Sequence, residues 1–135
     1  MELRKLRKRR SSILIIILAV IILIILVMTG IYIKAQSDLK DLSTMEIQDI
    51  DLSKIEDGNY KGSYNVFPIS VKVNVYVKNH RITDIKILKH TNGQGGTAEK
   101  ITELILQSQS LKVDAISGAT YSSKVIIKAV ENALK

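Results

Sequence analysis

The chain has 135 residues, 20 Lys/Arg against 13 Asp/Glu, and no cysteine. The missing thiols exclude disulfides, thiolate nucleophiles, Cys-held zinc or iron–sulfur sites and a lipoprotein-type anchor. The net charge of +7 is concentrated at one end: residues 1–10 hold six basic residues and one acidic, whereas the other 125 hold 14 and 12. The basicity is therefore a flank, not a nucleic-acid-binding face, and no nucleic-acid partner is expected.

Residues 13–27 read ILIIILAVIILIILV, and the apolar run continues to Ile33, 21 residues in all before Lys34. At ~1.5 Å per residue a helix of that length crosses the ~30 Å core of a bilayer. A cleaved signal peptide has a shorter apolar region, about 7–15 residues, ending in a small-x-small site. Here Ile33 stands two residues before Ala35, so the run is read as a retained anchor, with Tyr32 at interfacial height. Basic residues before a span mark its cytoplasmic side. The expected organisation is a cytoplasmic basic flank (1–12) that can also touch anionic lipid, a transmembrane helix (13–33), a stalk or linker (34–56) and an extracytoplasmic domain (57–135). An extracytoplasmic domain without disulfides is more usual in bacteria. In the linker, Leu39, Leu42 and Met45 fall at near-helical spacing, so it is either an outward continuation of the helix or a flexible stalk.

Asp57-Gly58-Asn59-Tyr60-Lys61-Gly62 reads as a turn and a first strand. Ile69, Val71, Val73, Val75 and Val77 alternate with Ser70, Lys72, Asn74, Tyr76 and Lys78, the period of a strand with one buried and one wet face. Asn79-His80 is a two-residue hairpin loop, and residues 81–88 return as the partner strand. Ile82, Ile85 and Ile87 break phase once, which predicts a bulge. Residues 90–96, HTNGQGG, are a polar glycine-rich loop. Thr97 is the expected N-cap of a helix through Gln107, with Ala98, Ile101, Leu104, Ile105 and Ser108 on one face. A last helix is expected to start at Ser122 or Ser123, with Ile126, Ala129, Val130 and Ala133 on its inner side. The fold class is α+β: a small antiparallel sheet packed with two helices, preceded by one N-terminal transmembrane helix.

The chemistry concentrates in residues 114–123, DAISGATYSS. Hydroxyls cluster there without a base. The pattern G-x-x-x-x-G-K is absent, which argues against nucleotide hydrolysis. No G-x-S-x-G elbow is present, and His80 and His90 sit by the hairpin without a carboxylate relay, which argues against a serine hydrolase. No catalytic residue and no metal ligand is assigned. A small-residue loop before a helix suits a phosphate, because first-turn N–H groups are free there and the helix end is electropositive. A plain Ser/Thr N-cap explains the same residues equally well.

The decapeptide resembles the flavinylation motif of the FMN-binding domain family, which includes the flavin-carrying subunits of the Rnf complex and of the sodium-pumping NADH:quinone oxidoreductase. The resemblance covers residues 57–135. It includes the DGNYKG opening, the return strand ITDIKIL, the run TAEKITELILQSQSLKVDAISGAT and the closing AVENAL. It implies FMN held through a phosphoester to Thr120, installed by a membrane-associated flavin transferase that uses FAD as donor with a divalent metal and releases AMP. It further implies that Ser117, Gly118 and Ala119 shape the turn and that Ser122 and Ser123 contact the phosphate. Asp114 either orients the loop, is recognised by the transferase, or caps a turn. The loop at residues 90–96 is the expected wall for the flavin ring, and His90 either bonds the flavin or is a solvated loop histidine. Relatives often carry a Pro-Gly turn here, where this chain has Asn92-Gly93-Gln94-Gly95-Gly96. The implied function is an electron carrier between a membrane donor and an external or partner acceptor, more a redox carrier than an independent enzyme. The competing readings are a flavin-free tethered partner-binding module and a non-catalytic subunit of a larger membrane redox complex.

Overall fold

A computed structural model describes residues 2–91 and 96–135, with side chains from residue 13 onward. The chain forms two compact units, Met1–Gln36 and Ser37–Lys135.

The first unit is helical. Helix α1 (Glu2–Thr44) runs through it, and the only stretch among the described residues that is long and apolar enough to cross a membrane lies on this helix. Side chains 13–28 are exposed nearly all round. A helix that is apolar on every side has no wet face to offer, so water is the wrong solvent for it.

The second unit begins with the last turns of α1. Leu42 is fully buried in the core, and Leu39, Met45, Ile47, Ile50, Leu52 and Ile55 pack against it. Of the two readings left open for the linker, the helical one describes residues 37–44. The remainder, including a short 3-10 turn at Leu52–Lys54, lies against the domain as an irregular strap. Asp49 fastens that strap, accepting hydrogen bonds from Ser110 Oγ (2.7 Å) and the Leu111 N–H (3.0 Å).

Three strands follow: β1 (Gly58–Val66), β2 (Ile69–Lys78) and β3 (Arg81–Thr91), antiparallel in the order β1-β2-β3. The valine run on β2 is buried toward the helices, and Lys72 and Lys78 are exposed on the opposite side; Asn74, on that side by alternation, is nevertheless buried. Asn79 and His80 both take positive φ, 52° and 57°, the signature of a type I′ turn, whose twist matches the strands it joins. The Asp57 carboxylate accepts from the Asn79 N–H at 2.6 Å and His80 Nδ1 meets the Ile55 carbonyl at 3.0 Å, so the strap holds the turn. The β2–β3 register slips twice, between Lys72/Val73 and Tyr76/Val77, where one bulge is expected from phase alone.

Two expected boundaries shift. The 97–107 helix is a 3-10 turn (Gly96–Lys100) followed by α2 (Ile101–Ser108), and its cap is Lys100 with no side-chain bond, so Thr97 is not its N-cap. Ala98, Ile101 and Ile105 are fully buried, but Leu104 is exposed: over so short a helix only two inward positions reach the sheet. Gln109 ends α2 in the left-handed conformation, and its amide pairs with both backbone groups of Ile82, accepting from N–H at 2.8 Å and donating to C=O at 2.9 Å. The last helix, α3 (Thr120–Leu134), starts at Thr120, ahead of the expected Ser122 or Ser123.

Helix α3 lies across β1 and β2 and closes the core with Val125, Ile126, Ala129 and Val130, all fully buried. Gly62 makes the crossing possible. A Cβ there would stand 2.1 Å from the Ala129 carbonyl oxygen and 2.5 Å from the Ala133 nitrogen, so helix and strand touch backbone to backbone. Asn132 reinforces the contact, donating to the Ser63 carbonyl at 3.0 Å. Glu131 is also fully buried on α3 and is neutralised by Lys128 (2.7 Å) and Lys135.

Candidate functional site

The segment between α2 and α3 ends in a tight turn. The Ala119 N–H donates to the Ile116 carbonyl at 2.9 Å, and Gly118 sits at φ +77° in the third place of the four-residue turn. This is the arrangement of a type II turn, which demands positive φ at that place and so favours glycine. A Cβ on Gly118 would meet nothing within 4 Å, so conformation, not crowding, selects glycine here.

The turn delivers the chain directly into α3. Ala119 is the N-cap, and no side chain bonds the helix end. The Ser/Thr N-cap reading therefore fails for this loop. The N–H groups of the first turn have neither an intrahelical acceptor nor a side-chain one. Thr120 is the first residue of the helix and is exposed, next to an exposed Tyr121. Ser117 and Gly118 are exposed, and Ala119 is buried under them.

The two serines behave differently from the rest. Ser123 is fully buried, and its Oγ accepts from the Ile116 N–H at 3.1 Å, while its own N–H donates to the Ala119 carbonyl at 2.9 Å. Through these two bonds Ser123 ties both ends of the turn to the first turn of α3. Ser122 is buried as well. Asp114 is exposed and has no hydrogen bond among the described residues. It borders an open hollow of about 680 Å3 shared with Glu46, Gln48, Asp49 and Lys112.

His90 is not in a loop. It belongs to β3, in register with Val71 and thus on the helix-facing side of the sheet. Its side chain is only 2% exposed, with Nδ1 3.0 Å from Glu99 Oε1. Its Nε2 is buried without a hydrogen-bond partner among the described residues. A buried ring nitrogen in that condition is uncommon and marks a place where a further polar group is wanted. The reading of His90 as a solvated loop residue is thereby set aside. Of the expected ring-side wall, residues 92–95 lie outside the described residues.

A family described as the FMN-binding domain matches residues 67–135. The chain belongs to the FMN-binding domain family. A 103-residue stretch is also 32% identical to a Vibrio harveyi protein named NADH:acrylate oxidoreductase, covering 74% of this chain. The chain spans about 10% of that relative's length. As a member of the family, it can be tested for fit to the cofactor. The start of α3 has the make-up of an anion site: an exposed Thr120 stands on a helix start without a side-chain cap, with a positive-φ glycine two residues before it. The orphan Nε2 of His90 is a second polar group that a cofactor can satisfy. Among the described residues there is no cluster of His, Cys, Asp or Glu able to hold a metal ion.

Ser123 and Gly118 carry the local geometry. Gly118 is legible in sequence as a turn residue, but Ser123 is not, because a buried serine and a ligand-facing serine look alike in a motif.

Proposed function

We propose that the protein is a membrane-anchored, extracytoplasmic electron carrier that holds FMN covalently through a phosphoester to Thr120. The observation that carries this reading is the exposed Thr120 at the start of α3, which has no side-chain cap, positioned by a turn that the Ser123 hydroxyl braces. Attachment joins Thr120 Oγ1 to the FMN phosphorus of FAD and breaks the bond to the AMP half. AMP leaves, and the threonine proton passes to the flavin transferase. The chain needs no base of its own for this step, and the loop offers none.

A phosphate attached at Thr120 would be held by the free N–H groups and the positive end of α3. Gly118 would leave the backbone clear for its approach, and the exposed Ser117 would offer it a further hydroxyl. The bound flavin supplies the redox chemistry, and the protein supplies position and electrostatics. The single apolar helix supports anchoring, and the basic residues before it support an orientation with residues 1–12 in the cytoplasm and the FMN-binding domain outside. Donor and acceptor are separate proteins in this reading.

The test is intact mass after co-expression with a flavin transferase, read beside fluorescence on a denaturing gel. The expected result is a gain of FMN less one water, lost in Thr120→Ala. An unshifted mass, or a Thr120→Ala chain that keeps fluorescence under denaturation, refutes attachment at Thr120. Protease added to intact spheroplasts is expected to remove the domain; full protection refutes the orientation.

A further inference from the structure

Helices α2 and α3 pack on one face of the sheet, and the other face is open. Register sorts the residues. Lys61 and Lys86 flank Asn74, Lys72 is opposite Lys89, and Lys78 is opposite Arg81. All six cations stand on the open face and are exposed, against one acid, Asp84. The unit Ser37–Lys135 as a whole has 13 Lys/Arg and 12 Asp/Glu, so everything off this face holds seven basic and eleven acidic residues. A nearly neutral domain is thus strongly polarised, positive on the sheet and negative elsewhere.

Folding does not ask for this arrangement. Like charges directly opposite in an antiparallel pair destabilise the sheet, and this face has two such pairs, Lys72–Lys89 and Lys78–Arg81. Amid the lysines the bulge exposes Leu88, 55% accessible, beside a hollow of about 250 Å3 lined by Lys61, Gly62, Ser63, Lys72 and Val73. An apolar residue in a shallow depression ringed by one sign of charge has the make-up of a protein-docking surface: the charges steer and the apolar centre holds.

We propose that the open sheet face docks the acidic face of a separate protein, with an apolar side chain of that partner seated beside Leu88. Its purpose rests on the carrier reading, since a carrier has to be met by other redox proteins. Charge complementarity selects the partner's chemistry. Two other occupants fit less well. Residues 37–57, which adjoin the span, hold seven acidic residues and two basic, so the part of the domain nearest the span in sequence is repelled by anionic headgroups. A second copy placed face to face would oppose like charges.

The experiment uses the full chain in phosphatidylcholine nanodiscs, with a fluorescein-labelled oligoglutamate peptide as the probe. Binding is followed by anisotropy, and the contact is located by lysine acylation and mass spectrometry. The peptide is expected to protect Lys72, Lys86 and Lys89, and added salt to release it. Lys72→Glu/Lys89→Glu is expected to weaken binding on the order of tenfold, whereas Lys100→Glu/Lys112→Glu, with the same change in net charge but off the face, changes it less than about threefold. Lys89→Glu alone converts one like-charge pair to an opposite pair, so it is expected to melt higher than the parent while binding more weakly. That combination separates docking from misfolding.

Equal weakening by the two double variants, or protection of other lysines, overturns the proposal. So does protection of these lysines by phosphatidylglycerol nanodiscs without peptide, which would assign the face to lipid, or protection that grows with chain concentration, which would assign it to a second copy. The same measurements on Thr120→Ala keep docking and flavin attachment separable: either can fail without the other.

Discussion

Replacing Gly62 by alanine tests whether β1 and α3 are in true backbone contact. The new methyl group would sit 2.1 Å from the Ala129 carbonyl oxygen, 2.5 Å from the Ala133 nitrogen and 2.7 Å from the Ala133 Cβ. Favourable contacts of such atoms lie near ~3.5 Å, so α3 has to move outward by roughly 1 Å. None of the three obstacles is a flexible side-chain end, and no rotamer change relieves the clash. The shift also lifts Val125, Ile126 and Val130 from the sheet, and a gap of 0.5–1 Å gives up roughly a quarter to a half of each dispersion contact. Overpacking of this kind costs about 1–3 kcal/mol, and the intrinsic advantage of alanine over glycine in a strand returns only about 0.5–1. The expected net loss is about 1 kcal/mol, which in a domain of this size lowers the melting temperature by roughly 4–8 °C. Differential scanning calorimetry of the full chain in detergent reads the domain transition. A Gly62→Ala transition within ~2 °C of the parent would refute the reasoning, since it would mean the helix and strand are not packed as described.

Three other perturbations have definite expectations. Gly118→Ala meets no steric obstacle but forces a Cβ into the left-handed region, so it costs about 1 kcal/mol in denaturant titrations and lowers flavin loading, with little effect on the packing of α3. Ser123→Ala leaves the Ile116 N–H without its acceptor, a loss of about 1–3 kcal/mol, whereas Ser117→Ala, at an exposed position, is expected to leave the melting temperature unchanged. For Glu131, burial raises the carboxyl pKa, but the ammonium groups of Lys128 and Lys135 outweigh it and hold the pKa below its ordinary value of 4.5. A depressed folded-state pKa means the stability is present above 4.5 and is lost as pH falls through the folded value, so the acid limb of the stability curve steepens below that point. Glu131→Gln is expected to flatten that limb and to lower stability at neutral pH; an unchanged limb would show that Glu131 is not the group responsible.

Much of the sheet was legible because a half-buried strand writes its geometry in alternate residues. Val71, Val73, Val75 and Val77 point inward as read, and Asn79-His80 turns the chain where expected. Helix starts were harder. In α3 the apolar period begins well inside the helix, and the true first residue, Thr120, follows an alanine cap that no propensity argument selects. The glycines that follow His90 closely read as a loop, but β3 continues to Thr91, beyond the register slip between Lys72 and Val73. The burial of Leu42 depends on a tertiary contact, and Leu39, Leu42 and Met45 alone do not distinguish a packed helix end from a tether. Within the candidate site, it is only the resemblance that distinguishes Thr120 from the other hydroxyls, and only the fold shows that Ser123 bonds the turn before it. The charge polarity of the sheet was present in Lys72, Lys78, Lys86 and Lys89 all along, but it becomes a surface only when register brings three strands together.

The Gln109 amide also has a consequence for crowded copies of the protein. By bonding both the N–H and the C=O of Ile82, it behaves as a single peptide unit of a fourth strand and occupies a place on the outer margin of β3. A sheet margin left open is a template on which another chain can zip. Copies held at high local concentration meet often, a condition that favours such pairing. One side-chain amide interrupts that margin near the hairpin, so growth of the sheet from chain to chain is discouraged there.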